Sequence, residues 1–144
     1  MRPEEVLGQL RRFLLVLSVL LFAGALVELW LVGHTEDTIQ WLAFAVAAVG
    51  GLAALARLFG SGRGILRLLR VSMVVVILGS VFGVVMHLIG NVEFEQEINA
   101  NAPTATMLWR ALKGGNPLLA PGVLMVAAIL SLAATYRHEI PIQE

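Results

Sequence analysis

Four long apolar runs separated by short polar breaks organise the chain. The first covers about 13–33 and is interrupted only by Ser18 and Glu28. The second covers about 39–60, with Arg57 in its last turn. The third covers about 65–90, with Arg67 and Arg70 at its start and His87 near its end, and the fourth about 117–136. Each approaches the roughly 20 residues an α-helix needs to cross about 30 Å of hydrocarbon. The breaks HTED and GSGRG have room only for tight antiparallel connections, whereas 91–116 has room for structure of its own. Within it, PTATMLWRALKGG reads as a short amphipathic helix. Thr104 is placed to cap it, Met107, Leu108, Ala111 and Leu112 share one face, and Gly114 ends it. Trp109, Arg110 and Lys113 suit the headgroup zone, so this helix is expected to lie on the outer leaflet. The pattern predicts an all-α membrane protein: one domain over 1–144, a four-transmembrane-helix bundle with a short interfacial helix between helices 3 and 4.

Composition supports the bilayer as solvent. Of 144 residues, 58% are hydrophobic and only 14% charged, against about 25% charged in ordinary soluble domains; the mean hydropathy is +0.85. Ten basic and ten acidic residues cancel, so no bulk basic field draws nucleic acid. The chain has no cysteine, which excludes disulfides, thiolate metal sites and cysteine nucleophiles. Four crossings put Arg2, Arg11, Arg12, Arg57, Arg63, Arg67, Arg70 and Arg137 on one side and leave Arg110 and Lys113 on the other. By the positive-inside rule both termini are expected in the cytoplasm. The outer side gathers Glu28, Glu36, Asp37, Glu93, Glu95 and Glu97. The first run has the basic flank and a small-residue Ala23-Gly24-Ala25 stretch of a signal peptide, but continues through Val32, long enough to span and stay.

Small residues recur at helical spacing. Ala43, Ala47 and Gly51 follow one another every four residues in the second run, beside Gly50 and Ala54, and Gly79 and Gly83 form GxxxG in the third. Such stripes let backbones approach, because lipid supplies no hydrophobic drive for helix association. They serve a homodimer face or packing within the chain, and four helices favour packing within the chain. In NPLLAPG, Asn116 and Pro117 suit an N-cap and first helical residue. Pro121 then either kinks the fourth helix or starts it, leaving 117–120 irregular; irregular backbone at membrane depth is tolerated only against protein or water.

The candidate chemistry lies in MHLIGNVEFEQE. At 100° per residue, Ser80, Gly83, Asn91 and Phe94 fall within about 40° of His87, and Leu17, Leu21 and Gly24 share the face of Glu28. Both ionisable groups sit a few residues from the outer ends of oppositely running helices, at depths of about 5 and 7 Å. An intramembrane ionisable residue is a site hypothesis by default. Glu28, His87 and Asn91, joined by Glu93 or Glu95, are the candidate metal ligands or proton carriers. The structural alternative is a Glu28–His87 hydrogen bond locking two helices, with Asn91 capping the third. In a further alternative Glu28 snorkels to headgroups beside Trp30; a haem axial role for His87 is the remotest. The alternating Glu93, Glu95 and Glu97 match no calcium loop and read as a solvated acidic rim.

HLIGNVEFEQE, NPLLAPG and the closing TYRH resemble small uncharacterised bacterial four-helix inner-membrane proteins. The resemblance covers Gly83 to His138; it implies a bacterial inner membrane and a four-helix fold, and brings no activity and no assigned residues. No dinucleotide, P-loop or HExxH motif is present, no serine has a histidine and an acid placed to activate it, and no cofactor is implied. The reading is an accessory or structural integral membrane protein: a subunit, scaffold or assembly partner whose partners are the bilayer and other membrane subunits. The alternatives are a small ion-handling or metal-binding protein using the outer Glu/His cluster, and a membrane enzyme acting on a lipophilic substrate.

Overall fold

In the computed structural model of the chain, residues 2–136 are described; Arg137 and His138, counted above on the basic side and in TYRH, lie outside them. The described residues form five α-helices and no strand: α1 Pro3–Leu31, α2 Trp41–Phe59, α3 Arg63–Ile98, α4 Thr104–Ala111 and α5 Ala120–Ala133, with a single 3₁₀ turn at Thr38–Gln40 leading into α2. Three of the apolar segments, Pro3–Leu31, Thr38–Phe59 and Arg63–Ile98, are long and apolar enough to cross a membrane, and Ala120–Ala133 is a shorter apolar helix.

Local chemistry explains the helix ends. At the start of α1, Pro3 needs no N–H, and the Glu5 carboxylate accepts from the Arg2 backbone N–H at 3.1 Å and from its guanidinium. α1 ends on Gly33, the one positive-φ glycine among the described residues (φ 66°). Its N–H donates to the Trp30 carbonyl, and the His34 N–H reaches back to Leu29 at 3.0 Å. This pair of bonds satisfies helix-end carbonyls and needs a left-handed residue, which glycine adopts without strain. The turn that follows is tied by Gln40, whose Oε1 accepts from the Glu36 N–H at 2.8 Å.

Helices α1, α2, α3 and α5 form a four-membered ring. α1 packs on α2 and α5, and α3 packs on the same two, while the α1 and α3 backbones do not approach each other. They stand on the diagonal. The core combines small side chains with Phe22, Leu69, Met73 and Val76, all fully buried. Ala47, Ala54, Ala127 and Ala128 are fully buried, as is Phe22 of α1. The Phe22 ring lies on bare α2 backbone: a Cβ at Gly50 would stand 2.6 Å from it, and one at Gly51 3.2 Å from its Cβ. The two glycines of GxxxG are also filled from within the chain, Gly79 by Val46 of α2 and Gly83 by Pro121 of α5.

Several predicted boundaries shift. α1 begins ten residues before the expected 13, so Arg11 and Arg12 are helical. α3 runs on past Gly90 for two more turns to Ile98, so Asn91 does not cap it and Glu93, Glu95 and Glu97 lie on a helix. Glutamate and glutamine are good helix formers, which lets a helix continue after its apolar run stops. α4 starts at the expected residue but with Pro103 in the cap position, so Thr104 is not its cap. α5 starts at Ala120, the irregular alternative, with Pro121 in the first turn where a missing N–H is tolerated.

Candidate functional site

Toward the Gly33–Gln40 turn the ring opens. A cavity of about 490 Å³ lies between the four helices at the end that carries the Gly33–Gln40 turn. Its depths are apolar, with Ala43, Val46, Gly79 and Leu124, and its mouth carries Glu28, His34, Gln40, His87 and Asn116. Four helices cannot all meet at this level: α5 has given way to the irregular 117–119 stretch, and α1 ends in its glycine turn.

His87 faces that irregular stretch. Its Nδ1 lies 2.9 Å from the Pro117 carbonyl oxygen. In a regular helix that oxygen would receive the N–H four residues on, which is Pro121 and has none. The Ala120 N–H supplies one bond at 3.2 Å, and His87 supplies the other. A carbonyl only accepts, so Nδ1 carries the proton; in the neutral ring Nε2 is then left with its lone pair. The His34 ring lies beside it, centroids 6.3 Å apart and tilted by 57°. Burial holds the His34 imidazole below its ordinary pKa, and the charge of His87 adds to that.

Asn91 does a different job from the one expected. It is 2% exposed, and its amide donates to the carbonyls of Ala111 at 3.0 Å and Asn116 at 2.9 Å, while its Oδ1 accepts the Asn116 N–H at 2.9 Å. Any Cβ at Gly114 would run into it, so glycine is required there. One turn further along α3, Glu95 accepts from the Asn99 amide at 3.1 Å and stands 3.9 Å from the Arg110 guanidinium. His87, Asn91 and Glu95 recur every four residues down one face of α3 and hold the segment from Arg110 to Pro117, with the Asn99 amide just past the helix end bonded to Glu95.

The three predicted ligands are therefore not brought together. Glu28 and His87 line the same cavity, but they belong to diagonal helices and do not hydrogen-bond; the Glu28 carboxylate makes no hydrogen bond or ion pair among the described residues. The expected Glu28–His87 lock is replaced by the His87–Pro117 bond. No cluster of three His, Asp or Glu side chains able to hold a metal is present among the described residues. His34 belongs to the HTED break and is not among the site residues expected from the sequence. The Gly33 signal could have found it, because a left-handed glycine after a helix folds the next residue back over the helix end. In α4, Ala111 is fully buried and Met107 half-buried, while Leu108, Trp109 and Leu112 are exposed, with the Lys113 ammonium 4.4 Å over the Trp109 ring. The apolar face expected to be one surface is thus split between α3 and the outside.

The fold and site define an all-helical protein with membrane-span-like helices and a polar-mouthed cavity at one end. No family model matches the chain, and no curated protein or solved structure is significantly similar to it.

Proposed function

We propose that this chain is an accessory integral membrane protein of a bacterial inner membrane. α1, α2, α3 and α5 each cross once, both ends lie on the cytoplasmic, arginine-rich side, and the outer end works as a docking platform for another membrane protein. The carrying observation is the reach and bracing of α3. Its 36 residues extend about 54 Å at 1.5 Å per residue, against about 30 Å of hydrocarbon. The excess is not a loose tail: Asn91 and Glu95 tie it to α4 and the turn after it. A braced helix bearing exposed Glu93 and Glu97, beside α4 with Trp109 and Lys113, offers an acidic and amphipathic face to a partner with a basic outer loop. α5 has 14 residues, about 21 Å, and the turns flanking it complete its crossing. Exposed Leu108, Trp109 and Leu112 suit an α4 lying at the headgroups.

Reporter fusions test the topology: a fusion after Glu144 is expected to behave as cytoplasmic and one near Ala100 as periplasmic, and a periplasmic C-terminus would overturn the orientation. Photocrosslinkers at Glu93 and Glu97 in cells are expected to give one discrete membrane-protein adduct that Asn91→Ala weakens. Adducts that persist at full yield in Asn91→Ala, or adducts with lipid alone, would end the platform reading. A small-molecule or ion-handling role is the second reading, favoured by the cavity itself.

A further inference from the structure

We propose that the cavity between α1, α2, α3 and α5 is a binding site for a lipophilic monocation, with Glu28 as its counter-charge. The inference is independent of the docking platform and stands or falls separately. A volume of about 490 Å³ is in the range of sites for small organic ligands. The walls that such a ligand would meet are apolar: Ala43 and Val46 from α2, Phe82 from α3, Leu124 from α5. Among the acidic side chains of the described residues, only Glu28 lines the cavity; it is exposed at the open edge, and its carboxylate makes no hydrogen bond or ion pair among the described residues.

A carboxylate at this depth in a membrane is costly unless compensated. An occupant with an apolar body and one positive charge satisfies the walls and the carboxylate together. Anions are disfavoured for the same reason. The approach is acidic as well, since Glu36 and Asp37 lie in the turn at the mouth, and a low-dielectric cleft lined by one sign of charge concentrates the opposite ion. Of the two imidazoles at the mouth, His87 turns its Nδ1 to the Pro117 carbonyl, and burial lowers the pKa of His34. Phe82 adds an aromatic ring to the cavity wall, a group that attracts cations. At the floor, Ser80 is buried and its hydroxyl has no partner, unlike Ser18, which donates to the Leu14 carbonyl four residues back.

The test compares two ions of nearly equal size and shape and opposite charge, tetraphenylphosphonium and tetraphenylborate. Binding is measured to the full chain in lipid nanodiscs, with empty nanodiscs subtracted. The phosphonium is expected to bind saturably and at least about tenfold more tightly than the borate, a difference of about 1.4 kcal/mol. Glu28→Gln is expected to weaken phosphonium binding by about tenfold or more, and Ala43→Phe, which fills the apolar wall, to remove saturable binding. The double change Glu36→Gln with Asp37→Asn is expected to cost no more than a few-fold. Equal binding of the two ions, no saturable phosphonium binding, or an unchanged affinity in Glu28→Gln would overturn the proposal. So would a rim double variant that loses as much as Glu28→Gln, because the charge would then belong to the surface. Where Glu28→Gln fails to fold, the comparison of the two ions on the natural chain decides alone.

Discussion

The two ends of this bundle are made from the same four helices and finished in opposite ways. At the arginine-rich end, cations close the helices. Arg11 donates to the Tyr136 carbonyl at 2.6 Å, Arg70 reaches the Thr135 hydroxyl and carbonyl at 3.3 Å, and Arg57 binds the Gly60 carbonyl. Those carbonyls follow the C-terminal ends of α2 and α5, where partial negative charge gathers and a guanidinium is the favourable partner. At the other end, side chains of α3 do the closing: His87 holds Pro117, Asn91 holds Ala111 and Asn116, and Glu95 faces Arg110, while the carboxylate of Glu28 has no hydrogen-bond or ion-pair partner among the described residues. Packing differs in the same sense. Midway along the bundle Phe22 fills the hollow over Gly50, whereas nearer the Gly33–Gln40 turn the helices leave a cavity of about 490 Å³ between them. Guanidinium–carbonyl bonds clamp one end, Phe22 fills the middle, and the cavity at the other end leaves room for a ligand.

The sharpest way to break the comparison is to empty the filled part. Phe22→Ala is expected to lose about 3–5 kcal/mol of stability, the usual cost of removing a buried aromatic ring, read as a large fall in melting temperature in detergent or nanodiscs. A shift of only a degree or two would mean that the hollow over Gly50 does not carry the packing.

Asn91→Ala should come next. It leaves the Asn116 N–H and two carbonyls short of partners at a buried position, about 1–3 kcal/mol. The loss is local, so limited proteolysis near Gly114 is expected to quicken more than global melting falls. Uniform destabilisation without local cleavage would place Asn91 in the global core rather than in a clamp on the loop.

Gly33→Ala forces a left-handed alanine, a strain of about 1 kcal/mol. It is expected to lower stability modestly and to change the environment of His34, seen as a shifted imidazole resonance. An unmoved resonance would show that the helix-ending turn does not position His34.

The smallest effect is a pH dependence. Burial first, and then the charge of His87, lower the folded-state pKa of His34. The folded protein then takes up that proton less readily than the unfolded chain. The contribution is fully present above the unfolded value, near 6.5, and is lost as pH falls through the lower folded value. Melting temperature is expected to drop slightly on acidification below about pH 6.5, and His34→Asn to flatten that drop. An equally steep drop in His34→Asn would assign the acid sensitivity to another group.

Much of the fold was legible. Each apolar run marks a helix, the turn at Gly33–Gln40 and the glycine turn before Arg63 fall at the polar breaks, and Thr104–Ala111 is helical where the amphipathic period put it. Gly50, Gly51, Gly79 and Gly83 meet partners inside the chain, as small residues at that spacing allow. The site was legible only in its members. Glu28 and His87 share a depth and a cavity, but equal depth could not tell a neighbouring pair of helices from a diagonal one. The i, i+4 row from His87 to Glu95 was present in the sequence; it went unread because α3 was ended at Gly90, where its apolar residues stop.

What the sequence determined by itself is what depends on neighbours along the chain. Helix period, the left-handed glycine at 33, the missing N–H of Pro121 and the split of arginines from acids are all local or compositional, and each acts through bonds or charges within a few residues. The tertiary structure alone decided which helices touch. Ring order is set by how side chains of distant segments fill one another's hollows, Phe22 over Gly50, Val46 over Gly79, Pro121 over Gly83, and no local pattern encodes that sum. It put α1 and α3 on the diagonal, turned His87 from Glu28 to the Pro117 carbonyl, and left between them the cavity on which a ligand would depend.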